Sequence, residues 1–214
     1  RKISETAAVT ARLRICVKPR RLIACWTLCT FEVMPVNVEL TVRNTRAVSA
    51  GSPSSTIFNS AAEDTPISQW DATFDLNLRG LFLCCQAEGR HMIARGYGKI
   101  INIASMSSLL VPHPQKQAVY NTSKAGVAHL TACLATEWAE HGVRVNAVSP
   151  GIVRTPLIES ADLAPLKDEW LTQIPMGRLA EVADIQAGVL YLASDASDYM
   201  IGHNLAIMGG QNLW

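Results

Sequence analysis

Glycine is almost missing from the first part of this 214-residue chain. Gly51 is the only glycine before Gly80, and the other twelve follow from there. A glycine-rich turn such as GxGxxG lets backbone N–H groups come close to a phosphate, because no Cβ stands in the way. Such a turn cannot be written anywhere in residues 1–79.

Charge and long apolar segments are also scarce. Charged residues make up 17% of the chain, which argues against a disordered or coiled-coil protein. The net charge of +1 gives no global electrostatic basis for binding nucleic acid. The apolar run at 22–31 is half the length of a membrane-spanning helix, about 20 residues, and no small-residue cleavage site follows it. We therefore expect a soluble, cytoplasmic protein with neither a membrane nor a nucleic-acid partner.

The six cysteines form no CxxC pair, and no histidine lies at a zinc-binding distance in sequence from Cys25 and Cys29. We expect no metal site, and we interpret the cysteines as reduced, small hydrophobic residues of an intracellular protein.

Charge divides the chain into two parts. Residues 1–57 contain nine Lys and Arg against three Asp and Glu, whereas acidic residues are in excess in 58–214. We predict an atypical basic segment at 1–57, followed by the main part of a single domain at 58–214. Binding of nucleic acid or anionic lipid by the basic segment is an alternative that rests on its charge alone.

From residue 66 onward, helices and strands alternate. Apolar residues recur at helical spacing up to about Arg95, and a β-branched run without alternation, typical of a strand buried on both faces, follows at 99–104. We then predict a helix at 118–141, a strand at 143–148, a helix at 181–192 and a strand at 204–208. This order predicts an α/β fold, a doubly wound parallel sheet whose ligands bind at the carboxyl ends of the strands. We expect alanines to form the inner face of the second helix: Ala125, Ala128, Ala132, Ala135 and Ala139.

Tyr120 and Lys124 lie four residues apart on the predicted helix, which places them on one face about 6 Å apart along the axis. An ammonium group near a phenol favours the phenolate, so the pair is suited to acid–base chemistry on an alcohol or a ketone. Ser105 follows the buried strand, where its hydroxyl could bind a reacting oxygen. Ser107 and Ser108 are alternatives for that role, and an exposed Tyr–Lys pair without function is the alternative for the helix.

Several motifs, in order, resemble the classical short-chain dehydrogenases/reductases. The resemblance covers about residues 58–214. The matching segments are Asp75–Phe82 (DLNLRGLF), Asn102–Ser105 (NIAS), Tyr120–Lys124 (YNTSK), Asn146–Thr155 (NAVSPGIVRT), Tyr191–Asp195 (YLASD) and Gly202–Leu205 (GHNL).

The resemblance implies a role for each matching catalytic position. Tyr120 would be the acid/base, and Lys124 would lower its pKa and bind the nicotinamide ribose. Ser105 would hold the substrate oxygen. Asn77 would anchor a water molecule that relays protons from Lys124.

It also implies NAD or NADP as the cofactor. The segment from Pro150 and Gly151 onward would line the nicotinamide, with the Val153 backbone on its carboxamide and the Thr155 hydroxyl nearby. Residues 156–176 would form a substrate lid, and subunits would pair through the helix at 118–141 as a homodimer or homotetramer.

The serine motif Ala104–Ser107 (ASMS) and the segment Pro114–Tyr120 (PQKQAVY) look like those of polyol and sugar-alcohol dehydrogenases. The expected function is therefore NAD(P)-dependent interconversion of a secondary alcohol and a ketone by hydride transfer.

The main departure from the family is the missing phosphate-binding turn. The first βαβ unit is degenerate or missing, and Val48–Gly51 (VSAG) is the only trace of the family motif that follows its fourth strand. Cofactor binding is then impaired in an alternative interpretation, in which the chain acts as a scaffold or as a dimer subunit.

Overall fold

The structure, a computed structural model, describes residues 59–213. Three strands and five α-helices alternate over this range. They are α1 (Ile67–Phe74), α2 (Leu81–Arg95), β1 (Gly98–Ile103), α3 (Ala118–Trp138), β2 (Val143–Pro150), α4 (Lys167–Thr172), α5 (Val182–Ala193) and β3 (Asn204–Ile207).

The strands form one parallel sheet in the order β1-β2-β3. Gly98 pairs with Val143, and Ala147 pairs with Asn204. Helix α3 connects the first two strands, and α4 and α5 lie between the last two. The predicted parallel α/β sheet is confirmed for the described residues, whereas the first βαβ unit and the proposed boundary at residue 57 lie outside them.

Helices cover both faces of the sheet. On one face, α2 and α3 pack with Met92 and Val127 against Ile100 and Val145 of the strands. On the other face, α5 packs with Val189 and Leu192 against Ile101 and Val148. The β-branched run at 99–104 lacks alternation because β1 has an apolar helix on each side.

Two predicted details differ from the structure. The helical stretch before β1 is interrupted by a π-helical turn at Asp75–Gly80, between α1 and α2. Of the five alanines expected on the inner face of α3, only Ala135 is buried; the face that packs on the sheet contains Val127, Thr131 and Leu134. Alanine recurs along α3, but the larger side chains bury more apolar area and so decide which face turns inward.

Lys99 in β1 is also buried, with 1% of its surface exposed. Its Nζ donates hydrogen bonds to the Ser194 carbonyl and the Ser197 hydroxyl, and it forms an ion pair with Asp198 at 2.6 Å. These partners compensate for the loss of hydration, and they tie the start of β1 to the segment before β3.

The glycines at the helix ends adopt the conformation that ends a helix. Gly142, with φ of 75°, follows the 3-10 turn at Ala139–His141 that comes directly after α3. An added Cβ at Gly142 would lie 2.3 Å from the Gly96 carbonyl oxygen, so the left-handed turn also allows a close approach of two loops.

Candidate active site

The predicted catalytic residues meet at the carboxyl end of β1. Ser105 lies two residues beyond β1, and Tyr120 is in the first turn of α3, which returns along the sheet. A hydrogen bond with Ser105 acts on the Tyr120 phenol. The Lys124 Nζ lies 5.9 Å from the centre of the Tyr120 ring and donates a hydrogen bond of 3.0 Å to the Ile103 carbonyl. The structure therefore brings Ser105, Tyr120 and Lys124 together.

Burial shifts the pKa values of this group. It raises the pKa of Tyr120, and the hydrogen bond with Ser105 opposes that change. It lowers the pKa of Lys124 to about 8. We expected Lys124 to lower the pKa of Tyr120, but the pKa is raised in this structure, because the loss of hydration outweighs the hydrogen bond with Ser105.

The neighbouring serines hold Ser105 in place. The Ser107 backbone N–H donates to the Ser105 Oγ at 3.2 Å, and the Ser108 hydroxyl donates to the Ser105 carbonyl at 2.7 Å. Ser105 Oγ thus accepts a backbone hydrogen bond and keeps its own proton for another oxygen. Of the three serines that the sequence left open, Ser105 is the one that interacts with Tyr120.

Asn77 lies in the π-helical turn and is buried, with 8% exposed. Its Nδ2 donates to the Ser123 Oγ at 3.1 Å, and the Ser123 hydroxyl donates to the Tyr120 carbonyl at 2.7 Å. Asn77 therefore contacts the backbone of the catalytic helix through Ser123. Sequence reasoning gave no role to Ser123, although a serine three residues after Tyr120 has the spacing for a hydrogen bond back to its carbonyl.

The segment after β2 presents a free backbone edge. Val153 forms a parallel bridge with Ala180, in which the bonding groups are the Ile152 carbonyl and the Arg154 N–H. The N–H and C=O of Val153 itself point away from Ala180, and within 59–213 neither makes a hydrogen bond. One donor and one acceptor side by side match the two hydrogen-bonding groups of a carboxamide. The residues at this end therefore fit a nicotinamide.

The other predicted cofactor residues surround this edge. Pro150 ends β2, and Gly151 has no room for a side chain, because an added Cβ would lie 2.8 Å from the Met208 Cα. The Thr155 Oγ1 accepts a hydrogen bond of 3.4 Å from the Ile158 N–H. Residues 1–58 lie outside the described range, and nothing about a phosphate site follows from the residues described.

The predicted lid packs over the loop that follows Ser105. Trp170 of α4 is buried at 2% exposure, together with Ile174 and Leu179. Its Nε1 donates to the Gln115 Oε1 at 3.3 Å. Residues 156–176 thus cover one side of the site with an apolar layer.

Residues 59–213 contain no helix with the length and apolar character of a membrane span. Within 59–213, no group of three or more His, Cys, Asp or Glu side chains could hold a metal ion.

The comparisons with known proteins agree with this geometry. A family model described as Enoyl-(Acyl carrier protein) reductase matches residues 47–212. Galactitol 2-dehydrogenase from Rhizobium johnstonii is 38% identical over 182 residues, covering 79% of this chain and 70% of the relative. The names of further relatives are those of other polyol dehydrogenases, one NAD-dependent and another NADP-dependent.

Solved structures are similar as well. A short-chain type dehydrogenase/reductase from Mycobacterium marinum has 42% identity and a TM-score of 0.69, covering 72% of this chain and 61% of that one. A gluconate 5-dehydrogenase from Burkholderia cenocepacia, in complex with NADP and tartrate, has 34% identity and a TM-score of 0.68, covering 73% and 61%. The chain therefore belongs to the short-chain dehydrogenase/reductase family of NAD(P)-dependent oxidoreductases and resembles its polyol dehydrogenases.

Proposed function

We propose that the protein interconverts a secondary alcohol of a polyol or sugar alcohol and the corresponding ketone. The observation that carries the proposal is the meeting of Ser105, Tyr120 and Lys124 at the strand ends, beside the free backbone edge of Val153. The chain spans 61% of the length of each of the two solved structures above, so the activity of the whole protein is part of this proposal.

In the proposed reduction, Tyr120 donates its proton to the carbonyl oxygen, and the Ser105 hydroxyl donates a hydrogen bond to the same oxygen. A bound nicotinamide would supply the hydride in this direction and accept it in the other. In alcohol oxidation, the Tyr120 phenolate takes the hydroxyl proton. The raised pKa keeps Tyr120 protonated at neutral pH, which favours the acid role there.

In this proposal, the other residues of the site bind and orient the cofactor and the catalytic water molecule. Lys124 would donate to the nicotinamide ribose, since its Nζ has N–H groups beyond the one that contacts Ile103. The Val153 backbone would hold the carboxamide, with Pro150, Gly151 and Thr155 around it. Asn77 would anchor the water molecule that connects Lys124 to solvent, and the π-helical turn supports this role because such turns frequently occur at functional sites.

Cofactor titration tests this function. The purified chain should bind NADH or NADPH saturably, as followed by fluorescence, and should reduce NAD⁺ or NADP⁺ when galactitol is added. Saturable binding without turnover of galactitol or of other polyols would refute the enzymatic role.

The missing glycine-rich turn supports a second candidate, a scaffold or dimer subunit with impaired cofactor binding. Absence of binding at millimolar NADH and NADPH would favour this candidate over the first.

We also propose that two copies pair through α3. An open apolar groove of about 510 Å³ lies between the α1–α2 region and α3, and it is the surface that a second copy would cover. It is lined by Phe74, Leu78, Phe82, Gly126, Leu130 and Cys133, among others. Gly126 lets Leu78 of the same chain pack closely on α3, since an added Cβ would lie 3.0 Å from the Leu78 Cδ2.

Substitution of Phe82 by glutamate should then produce a monomer, because it places a charge in the covered groove. Sedimentation equilibrium measures the mass. Leu83→Glu is the matched control, since Leu83 is exposed on the same helix but outside the groove. A monomeric wild-type chain, or equal masses for Phe82→Glu and wild type, would contradict pairing through this face.

We place the protein in the cytoplasm, and the free thiols of Cys84, Cys85 and Cys133 support a reducing compartment. Burial raises the pKa of Cys85 to about 12, so this thiol is an unreactive core residue.

A further inference from the structure

Three side chains form a closed ring behind Ser105. Ser108 lies in the loop after β1, Ser149 near the end of β2 and Asn204 at the start of β3. The Ser108 and Ser149 hydroxyl oxygens are 2.9 Å apart, Ser149 Oγ is 2.7 Å from Asn204 Oδ1, and Asn204 Nδ2 is 3.0 Å from Ser108 Oγ. The ring thus connects all three strands at the edge of the sheet where the site lies.

Two of the three contacts in this ring are hydrogen bonds, because each serine hydroxyl has one proton and the 2.9 Å contact between the Ser108 and Ser149 oxygens is left without one. The Ser149 hydroxyl donates to the Asn204 Oδ1, and the Asn204 Nδ2 donates to the Ser108 Oγ. The Ser108 hydroxyl proton is then left for the Ser105 carbonyl, at 2.7 Å. The chain of donors therefore ends on the backbone of Ser105.

Ser105 needs such support because the sheet no longer holds it. The last backbone hydrogen bond from this segment to β2 is donated by the Ala104 N–H to the Val148 carbonyl at 2.8 Å. Beyond Ala104 the chain leaves the sheet, and the hydrogen bond from Ser108 to the Ser105 carbonyl holds the backbone there. Ser149 is fully buried, with 0% exposed, so the ring is anchored in the protein interior.

We propose that Asn204 and Ser149 are positioning residues for Ser105 and act through Ser108. Neither side chain has to touch the substrate. They fix the Ser105 backbone so that its hydroxyl faces Tyr120 and the substrate oxygen. A displacement of about 1 Å in a catalytic group can cost up to about 100-fold in rate, so a ring of this kind is relevant to catalysis. The inference rests on the proposed function.

The first test is the kinetics of Asn204→Ala with galactitol at saturating cofactor. We expect kcat to fall about tenfold or more, with little change in the KM for the cofactor, because the Val153 edge and Lys124 are unchanged. Ser149→Ala should lower kcat in the same direction, and it serves if Asn204→Ala does not fold. A kcat within about twofold of wild type in the folded variants would overturn the proposal.

A matched control separates positioning from stability. Ser197 is also a buried serine within a hydrogen-bonded group, but it binds Lys99 at the other end of β1. Ser197→Ala should lower the thermal midpoint and leave kcat unchanged. If kcat fell in Ser197→Ala as much as in Asn204→Ala, a general loss of packing would explain both results and the proposal would be wrong.

A double substitution tests whether Asn204 acts through Ser105. In a Ser105→Ala background, Asn204→Ala should add almost no further loss of kcat, because the hydroxyl that it positions is already absent. An equal loss in both backgrounds would show that Asn204 acts by another route.

A measurement without turnover distinguishes failure of the positioning inference from failure of the proposed function. The Tyr120 phenol can be titrated by ultraviolet absorbance, as the difference from a Tyr120→Phe variant. Loss of the Ser105 hydrogen bond should move the midpoint to higher pH in Asn204→Ala, while Lys124, whose Nζ lies 5.9 Å from the centre of the Tyr120 ring, is unchanged. An unchanged midpoint would refute positioning, whereas an inactive wild type with a shifted midpoint would refute only the enzymatic role.

Discussion

Replacement of Tyr120 by phenylalanine should lower kcat by about 10²–10⁴-fold, the usual contribution of a general acid or base. The change removes one oxygen and keeps the ring, so the packing of α3 and the contact with Lys124 remain. Cofactor affinity should stay close to that of wild type, because the Val153 edge and Lys124 are unaffected. Rates of galactitol oxidation and fluorescence titration with NADH measure the two quantities on the same sample.

The pH dependence of the wild type gives an additional check on Tyr120. Alcohol oxidation needs the phenolate, so its rate should rise with pH as Tyr120 loses its proton, and the raised pKa moves this rise into the alkaline range. Tyr191→Phe is the control, since Tyr191 lies on the exposed side of α5 and 41% of its surface is exposed. Full turnover in Tyr120→Phe would show that another group exchanges the proton.

The proximity of Ser105, Tyr120 and Lys124 follows from local spacing in the sequence. Tyr120 and Lys124 share a helix face whatever the rest of the chain does, and a β-branched run followed by Ser105 marks the end of a strand. A parallel crossover then has to bring the start of α3 back to that end of the sheet. Backbone periodicity and connection rules were therefore sufficient to place these three residues together.

The ring at Ser108 could not be predicted in this way, because it depends on strand register. Asn204 lies almost a hundred residues from Ser105, and only the pairing of Ala147 with Asn204 shows that it is near Ser149. The sequence contained both residues within family motifs but gave no reason to connect them. The buried ion pair of Lys99 with Asp198 was missed for the same reason.

The direction of the Tyr120 pKa also depends on burial, which the sequence does not provide. The i,i+4 spacing suggested an ammonium that favours the phenolate, but both groups lie in a region where hydration is lost. Desolvation raises the pKa of a phenol and lowers that of an amine, so the pKa of Tyr120 rises above its ordinary value while that of Lys124 falls to about 8, and the two values move apart.

Predictions for the first part of the chain remain untested. The family model begins at residue 47, within the basic segment that we set apart by its composition. The boundary at 57 and the degenerate first βαβ unit stay predictions, because residues 1–58 lie outside the described part. The missing glycine-rich turn bears on cofactor affinity, since a pyrophosphate needs close backbone N–H groups.

Substitution of Lys124 by methionine should have opposite effects on activity and stability. Activity should be lost by at least the factor expected for Tyr120→Phe, because the ammonium that we propose to bind the ribose and to exchange protons is gone. The unliganded protein should become more stable by about 1–3 kcal/mol near pH 7, because burial of the ammonium lowers its pKa to about 8 and Ile103 supplies a single carbonyl as partner. Methionine fills a similar volume without a charge.

The pH dependence of this stabilisation has a definite sign. Below about pH 8 the ammonium is protonated in both the folded and the unfolded chain, so wild type bears the full cost of burying it. Between about 8 and the ordinary value of 10.5, the folded protein releases the proton first, and the unfolding free energy of wild type rises with pH. The advantage of Lys124→Met should therefore be largest near neutral pH and shrink in alkaline solution. Urea unfolding of wild type and Lys124→Met near neutral pH and in alkaline solution measures this difference in stability. Lys116→Met is the control, because Lys116 is exposed. Equal or lower stability of Lys124→Met at neutral pH would mean that Lys124 stabilises the fold. Its burial beside Tyr120 would then be explained by stability and would no longer support a role in function.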